Sequence, residues 1–227
     1  MEKLKALFVD FDGLMLDTEV ACFAGWQFAF RMHGLEYQLE EFQQIVGTDQ
    51  SPRPLLEERV GKPINWVDVD PKRRAHELEL GNCMELKAGV VPLLETAKTQ
   101  GLKLAVVSSS PHSWVDPHLE KRGVFDLFDT IVCHEDADRA KPFPDLYLEG
   151  LRRIGFEGHQ VVAFEDSHNG SLAAKRAGLW CVAVPNEITQ GTDFSHADEV
   201  VGSMEDISFD GVGALKIQKK ATFSGRL

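Results

Sequence analysis

The 227-residue sequence is poor in basic residues and in cysteine, and it holds no long apolar run. Its four cysteines, Cys22, Cys83, Cys133 and Cys181, are widely scattered with no C-x-x-C pair. That pattern supports neither a zinc site nor a disulfide framework and is read as free thiols in a reducing compartment. No stretch approaches the roughly 18 consecutive apolar residues of a membrane span, so membrane insertion is not expected. His112, His118, His134 and His168 show neither an H-x₃-H spacing nor an H-E-x-x-H pattern, and are read as structural or surface residues. Basic residues number 24 against 36 acidic ones, a formal charge of −12. Such a balance repels a phosphate backbone at long range, which argues against nucleic acid as a partner. An anionic small substrate therefore needs a local positive site strong enough to overcome the global field. The start, Met1 to Phe8, is too short and too charged for a signal peptide, so a cytoplasmic protein is expected. The acidic surface and the lack of a long apolar stripe point to a monomer. There is no internal repeat and no low-complexity segment.

What is present is an alternation. Lys5 to Val9, Leu102 to Val107, Thr130 to Cys133, Val161 to Phe164 and Cys181 to Val184 are short apolar runs, many of their residues β-branched, and read as buried strands. Between them fall helical patterns at Val90 to Thr99, Ser113 to Arg122, Pro144 to Ile154 and Ser171 to Ala177. Gly101, Gly123, Gly155 and Gly178 stand at helix ends as stops. Strands alternating with helices imply a parallel sheet covered on both faces. The stretch from about Val20 to Leu86 breaks the alternation. Its apolar residues, Phe23, Trp26 and Phe30, then Leu55 and Leu56, then Leu78 and Leu80, recur at helical spacing without a strand between them. The expected fold is α/β: a Rossmann-like three-layer sandwich with a central parallel sheet and a small inserted α-helical cap domain. The core is placed at 1–18 and 87–210, the cap at 19–86, and a poorly ordered tail at 211–227.

Four strand ends carry chemistry. "VDFDGLMLDTE", from Val9 to Glu19, sets Asp10 and Asp12 at the end of the first strand, two residues apart and so on one side of it. Two neighbouring carboxylates call for a cation, and Mg²⁺ prefers oxygen ligands. "VVSSSP" offers the Ser108 hydroxyl and the Ser109 backbone N–H to an anion at a helix start. "RAKPFPDLY" holds Lys141 in a loop, since Pro142 forbids a helix there. "VVAFEDSHNG" ends a strand with Glu165 and Asp166. Each piece alone has a plainer explanation: a solvated turn, an N-cap, a loop lysine, a helix cap. Those explanations do not account for all four falling at strand-to-helix junctions of one sheet, which converge in space. Together they supply a nucleophile, a metal site, donors and a positive charge, the requirements of phosphoryl transfer.

The motifs "DFDGLMLDTE", "VVSSS", "KPFPDLY" and "FEDSHNGSLAAKRAG" resemble those of the haloacid-dehalogenase superfamily, in its β-phosphoglucomutase-like phosphatase branch with a helical cap after the first motif. The resemblance runs to about Asn186. Members that dehalogenate lack the second aspartate of the first motif; Asp12 is present here, which implies a phosphate ester. The resemblance further implies that Asp10 attacks phosphorus and forms an aspartyl-phosphate, while Asp12 protonates the leaving alkoxide and then takes a proton from water. It implies Mg²⁺ on the Asp10 side chain, the Asp12 main-chain carbonyl and Asp166, with Glu165 a ligand or an outer partner. Ser108, Lys141 and the N–H groups of Phe11, Asp12 and Ser109 would hold the phosphoryl oxygens.

By the same comparison, β-phosphoglucomutases carry a histidine four residues after the D-T dipeptide, where this chain has Cys22. Water is therefore the expected acceptor, with a phosphohexomutase as the alternative. The expected activity is hydrolysis of a small phosphorylated metabolite, a sugar phosphate first among them. A receiver domain also uses an aspartyl-phosphate, but at about 120 residues and with its aspartate on the third strand it fits poorly. Asp17, Thr18 and Glu19 are assigned to the passage into the cap, with Thr18 as hinge. Gly170 is expected to permit close packing behind Asp166. Arg53 and Trp114 are candidate substrate contacts, equally readable as packing or solvent-facing.

Overall fold

The five apolar runs alternate between two separate cores, because successive side chains of a strand face opposite ways. The structure, a computed structural model, describes residues 4–82, 84–210 and 215–217. In chain order its main elements are β1 (Ala6–Val9), α1 (Thr18–Arg31), α2 (Leu39–Gln43), α3 (Arg53–Val60), α4 (Trp66–Asn82), α5 (Val90–Thr99), β2 (Lys103–Val107), α6 (His112–Lys121), β3 (Thr130–Val132), α7 (Asp145–Ile154), β4 (Val161–Glu165), α8 (His168–Arg176), β5 (Trp180–Ala183), β6 (Glu199–Val200), β7 (Ile207–Phe209) and β8 (Leu215–Ile217). The first six strands form one sheet in the order β3-β2-β1-β4-β5-β6. Every pairing in it is parallel.

Leu7 and Val9 of β1, Leu104 and Val106 of β2, and Val162 and Phe164 of β4 pack on one face against Leu93 and Leu94 of α5 and Val115 and Leu119 of α6. Ala6 and Phe8, Ala105 and Val107, and Val161 and Ala163 pack on the other against Leu146, Tyr147 and Leu151 of α7 and Ala173 and Ala174 of α8. The strands are buried on both sides, which explains why they read as unbroken apolar runs. The α/β fold with a central parallel sheet is as expected from the sequence. β6 is a sixth strand that the sequence reading did not include. Two residues long, it is set by pairing with Val182 and Ala183 rather than by any run of its own.

The segment between β1 and α5 is helical and keeps its own apolar cluster. Trp26, Ala29, Phe30, Tyr37, Phe42, Val46, Leu56 and Val69 pack there, joined by Ile188 from the loop after β5. Leu78 and Leu80, part of the same helical pattern, are exposed. One expectation needs correction: the tail from Gly211 was read as poorly ordered, yet Leu215–Ile217 pairs antiparallel with β7. Leu215 and Ile217 lie partly buried against the sheet's first core, so burial supplies the reason. The remaining tail positions lie outside the described residues. Also among the described residues, no helix is long and apolar enough to cross a membrane.

Candidate active site

β1 stops at Val9, and the following Asp10 keeps the sheet's pattern for one more bond, its N–H donating to the Phe164 carbonyl at 3.0 Å. Asp10 is thereby fixed beside the end of β4, which carries Glu165 and then Asp166. Lys141 arrives from the loop before α7 and is buried with 2% of its surface exposed. An ammonium has three N–H donors. Lys141 directs its Nζ at three acceptors: Asp10 Oδ1 at 2.5 Å, Glu165 Oε1 at 2.6 Å and the Val107 carbonyl at 2.8 Å. Burial alone would lower the Lys141 pKa, but the charges of Asp10 and Glu165 outweigh it and hold the group upward. The Glu165 Oε1 atom also accepts from the Tyr147 hydroxyl.

One ammonium does not balance these carboxylates. Burial, then the charge of Glu165, pushes the Asp10 carboxyl up to about 8 despite Lys141. Burial and the charge of Asp10 push Asp166 well above the usual carboxylate range. Asp10, Glu165 and Asp166 each offer an oxygen, all within 4.8 Å of one another. Glu165 Oε2 is buried with no hydrogen-bond partner. A hard-oxygen donor set with surplus negative charge fits a metal ion. Two glycines make the assembly possible. Gly13 has φ 78°, and a Cβ there would overlap the Asp166 carboxylate; a Cβ at Gly170 would overlap that of Glu165. The expected close approach at Gly170 is thus to Glu165.

Asp12 faces different partners. Its Oδ1 accepts from Thr18 Oγ1 at 2.7 Å and Trp114 Nε1 at 2.8 Å. Its Oδ2 accepts from Ser110 Oγ at 2.6 Å and Ser108 Oγ at 3.3 Å. Ser108 also accepts from the Ser110 N–H at 3.0 Å. Ser109 instead turns its hydroxyl to the helical insert, donating to the Gly47 carbonyl at 2.9 Å. The same insert loop is gripped by Asn169, whose Nδ2 donates to the Val46 carbonyl at 2.9 Å. Gln43 returns the contact to the Ile188 carbonyl at 2.6 Å. Between sheet and insert lies a cavity of about 420 Å³, floored by Asp10, Asp12 and the three serines and roofed by Glu19, Cys22, Trp26, Arg73 and Glu77.

All seven residues singled out from the strand ends, Asp10, Asp12, Ser108, Ser109, Lys141, Glu165 and Asp166, therefore meet at one end of the sheet. The two loosely held candidates separate. Trp114 lines the cavity and donates to Asp12, whereas Arg53 pairs with Asp70 and stacks 4.9 Å from the Trp66 ring, away from the cavity. Thr18 binds Asp12 and also accepts from the Gly13 N–H, so it clamps the first motif. Sequence reasoning missed Asn186, which donates to Asp166 Oδ2 at 2.6 Å and to the Gly13 carbonyl at 3.1 Å. It sits just past β5, and applying the strand-end rule to that fifth junction was the available signal. Arg73 and Glu77 gave no such signal, because they come from a helix of the insert.

Residues 7–184 match the family described as haloacid dehalogenase-like hydrolase. YhcW of Bacillus subtilis is 40% identical over 208 residues, covering 89% of this chain and 94% of that protein. A phosphorylated carbohydrates phosphatase of Thermotoga maritima is 30% identical over 186 residues, 78% of this chain and 82% of that one. Among solved structures, a mutant of CbbY from Rhodobacter sphaeroides in complex with xylulose-(1,5)bisphosphate superposes with a TM-score of 0.75 at 26% identity, covering 89% of this chain and 96% of that one. With the strand-end motifs gathered at one site and most of its length matched, the chain belongs to the haloacid dehalogenase-like hydrolases, in their β-phosphoglucomutase-like branch, and is one of their phosphatases.

Proposed function

We propose that the protein is a Mg²⁺-dependent phosphomonoester hydrolase that releases inorganic phosphate from a small phosphorylated metabolite, a sugar phosphate foremost, through an aspartyl-phosphate on Asp10. The observation that carries this reading is the buried Lys141 ammonium, shared between Asp10 and Glu165 beside Asp166 at the cavity floor. It supplies the local positive site that a chain of charge −12 must have to hold a phosphate.

Asp10, Asp166 and the Asp12 main-chain carbonyl would hold Mg²⁺, with Glu165 completing the set or anchoring Lys141. When bound, the ion supplies positive charge to the transferring phosphoryl oxygens. A carboxylate oxygen of Asp10 attacks phosphorus in line as the bond from phosphorus to the alcohol oxygen breaks. Asp12 gives its proton to that oxygen, so the product leaves as a neutral alcohol. Water then attacks the aspartyl-phosphate, Asp12 takes a proton from it, and phosphate departs with Asp10 restored. Lys141, the Ser108 hydroxyl and the Ser109 N–H would steady the phosphoryl oxygens through both steps. The insert spanning 19–86 would act as the cap that keeps bulk water out.

The mutase alternative gains nothing from the geometry. Cys22, at the position where mutases carry histidine, lines the cavity. Burial pushes its thiol well above the usual range, so it is no base for a second sugar hydroxyl. The test is phosphate release from a panel of phosphomonoesters with and without Mg²⁺. Release that needs the metal and vanishes in Asp10→Asn is expected; equal behaviour of wild type and variant would end the reading.

A further inference from the structure

Outside the cavity, two histidines and a carboxylate meet where the loop before β6 reaches the start of α8. His168, the first residue of α8, and Asp193 and His196 of that loop each offer a ligand atom, all three within 4.8 Å of one another. Asp193 is exposed and both histidines are half-buried, so solvent reaches the group. The two rings lie edge to face with centroids 4.9 Å apart. Each imidazole is held in a single tautomer. His168 Nδ1 lies 2.6 Å from the Asp193 carbonyl, which can only accept, so Nδ1 carries the proton and Nε2 keeps its lone pair. His196 Nε2 lies 2.8 Å from Ser171 Oγ. The Ser171 hydroxyl gives its one hydrogen to carbonyls, that of Ser167 at 2.7 Å and that of His168 at 3.1 Å. It therefore accepts from His196 Nε2, and His196 Nδ1 keeps the lone pair. Fixing one ring nitrogen by a hydrogen bond so that the other can ligate is how histidine metal ligands are oriented. Asp193 Oδ1 is positioned in turn by the Ser195 N–H at 2.8 Å, and the buried Phe194 anchors the loop. A second cluster, His112, Asp116 and Cys133, lacks this feature: carboxylates engage both His112 nitrogens, Asp116 at Nδ1 at 3.1 Å and Asp136 at Nε2 at 2.8 Å.

We infer that His168, Asp193 and His196 form a second metal site, for a divalent transition-metal ion with Zn²⁺ foremost, separate from the all-oxygen group of Asp10, Glu165 and Asp166. Two imidazoles and one carboxylate suit Zn²⁺, whereas Mg²⁺ prefers oxygen ligands alone. Three protein ligands leave a fourth position to water. Bound there through His168 Nε2 and His196 Nδ1, the ion ties the loop before β6 to the start of α8. The site does not depend on the phosphatase reading. Linear spacing could not reveal it, because the histidines come from separate elements that only the fold brings together.

The test strips the untagged full-length protein with a chelator and titrates it with Zn²⁺ against a chromophoric competitor, in excess Mg²⁺ to compete at the oxygen group. The histidine ring nitrogens are followed by nitrogen-15 NMR in the same samples. Uptake of Zn²⁺ that shifts His168 Nε2 and His196 Nδ1 is expected. Ser171→Ala, which removes only the hydroxyl that orients His196, should weaken that uptake by about 10–100-fold, and His196→Ala should weaken it further. The NMR reading on the wild type decides even where a variant fails to fold. No Zn²⁺ uptake in excess Mg²⁺, uptake that shifts neither ring, or uptake unchanged in His196→Ala overturns the site. None of these three results bears on phosphate release, so the phosphatase reading stands or falls separately.

Discussion

Asp10 and Asp12 stand two residues apart on one extended segment, yet the molecule treats them differently. Asp10 is set among charges: one ammonium, two further carboxylates and a carboxyl pKa raised to about 8. Asp12 is set among neutral donors, three hydroxyls and an indole N–H. On the proposed mechanism the contrast suits the two aspartates to the two halves of one reaction. Asp10, which one ammonium does not balance, would need the proposed Mg²⁺ beside Lys141 to stay an anion and act as the proposed nucleophile. Asp12 is ringed instead by hydroxyls, which can turn from donor to acceptor and so suit the proposed acid and base role.

The sharpest way to break the contrast is substitution at each aspartate. Asp10→Asn should cut turnover by about 10⁴-fold or more, as removal of a nucleophile does. Asp12→Asn should cut it by about 10²–10⁴-fold, the range for a lost proton-transfer group. Equal losses with normal folding by circular dichroism would blur the distinction. Next in size, Lys141→Ala leaves Asp10 and Glu165 buried without their cation. Urea denaturation of the metal-free protein should show a loss of about 3–5 kcal/mol, recovered in part by Mg²⁺.

The pH dependence sharpens the Asp10 side of the comparison. With its folded pKa raised to about 8 from an ordinary value of 3.8, Asp10 binds more protons folded than unfolded between those values. Metal-free stability should therefore fall as pH rises from about 4 to about 8. Asp166 and Glu19, also raised, act in the same direction, while Lys141, raised above its ordinary value, stays protonated throughout that window. Thermal melts should show added Mg²⁺ restoring more at pH 8 than at pH 6, since the ion competes with those protons. Asp10→Asn should flatten the slope. The smallest effect is expected at Trp114→Phe, which removes one of four donors from Asp12; a loss in kcat of about 5–10-fold, with folding intact, matches one hydrogen bond.

Much of this was legible in the sequence because the sheet's geometry does the gathering. A parallel strand that is apolar throughout and then turns acidic announces both its burial and its carboxyl end, so Asp10, Ser108 and Asp166 could be placed together without coordinates. Which way each side chain turns was not legible. Ser108, Ser109 and Ser110 are chemically alike, and only packing sends Ser109 to Gly47 and Ser110 to Asp12. Glu19 read as part of the passage into the insert because a helix start carries acidic residues for its own reasons. The roof residues Arg73 and Glu77 meet the sheet only through tertiary docking, which local pattern does not encode.

The most direct test of the central claim is to quench the Mg²⁺-supplied enzyme with acid during turnover of a labelled phosphomonoester and sequence the labelled peptide by mass spectrometry. The account predicts phosphate on Asp10 and none in Asp10→Asn. Label on Asp12 or Ser108, or steady phosphate release with no label on any residue, would contradict it.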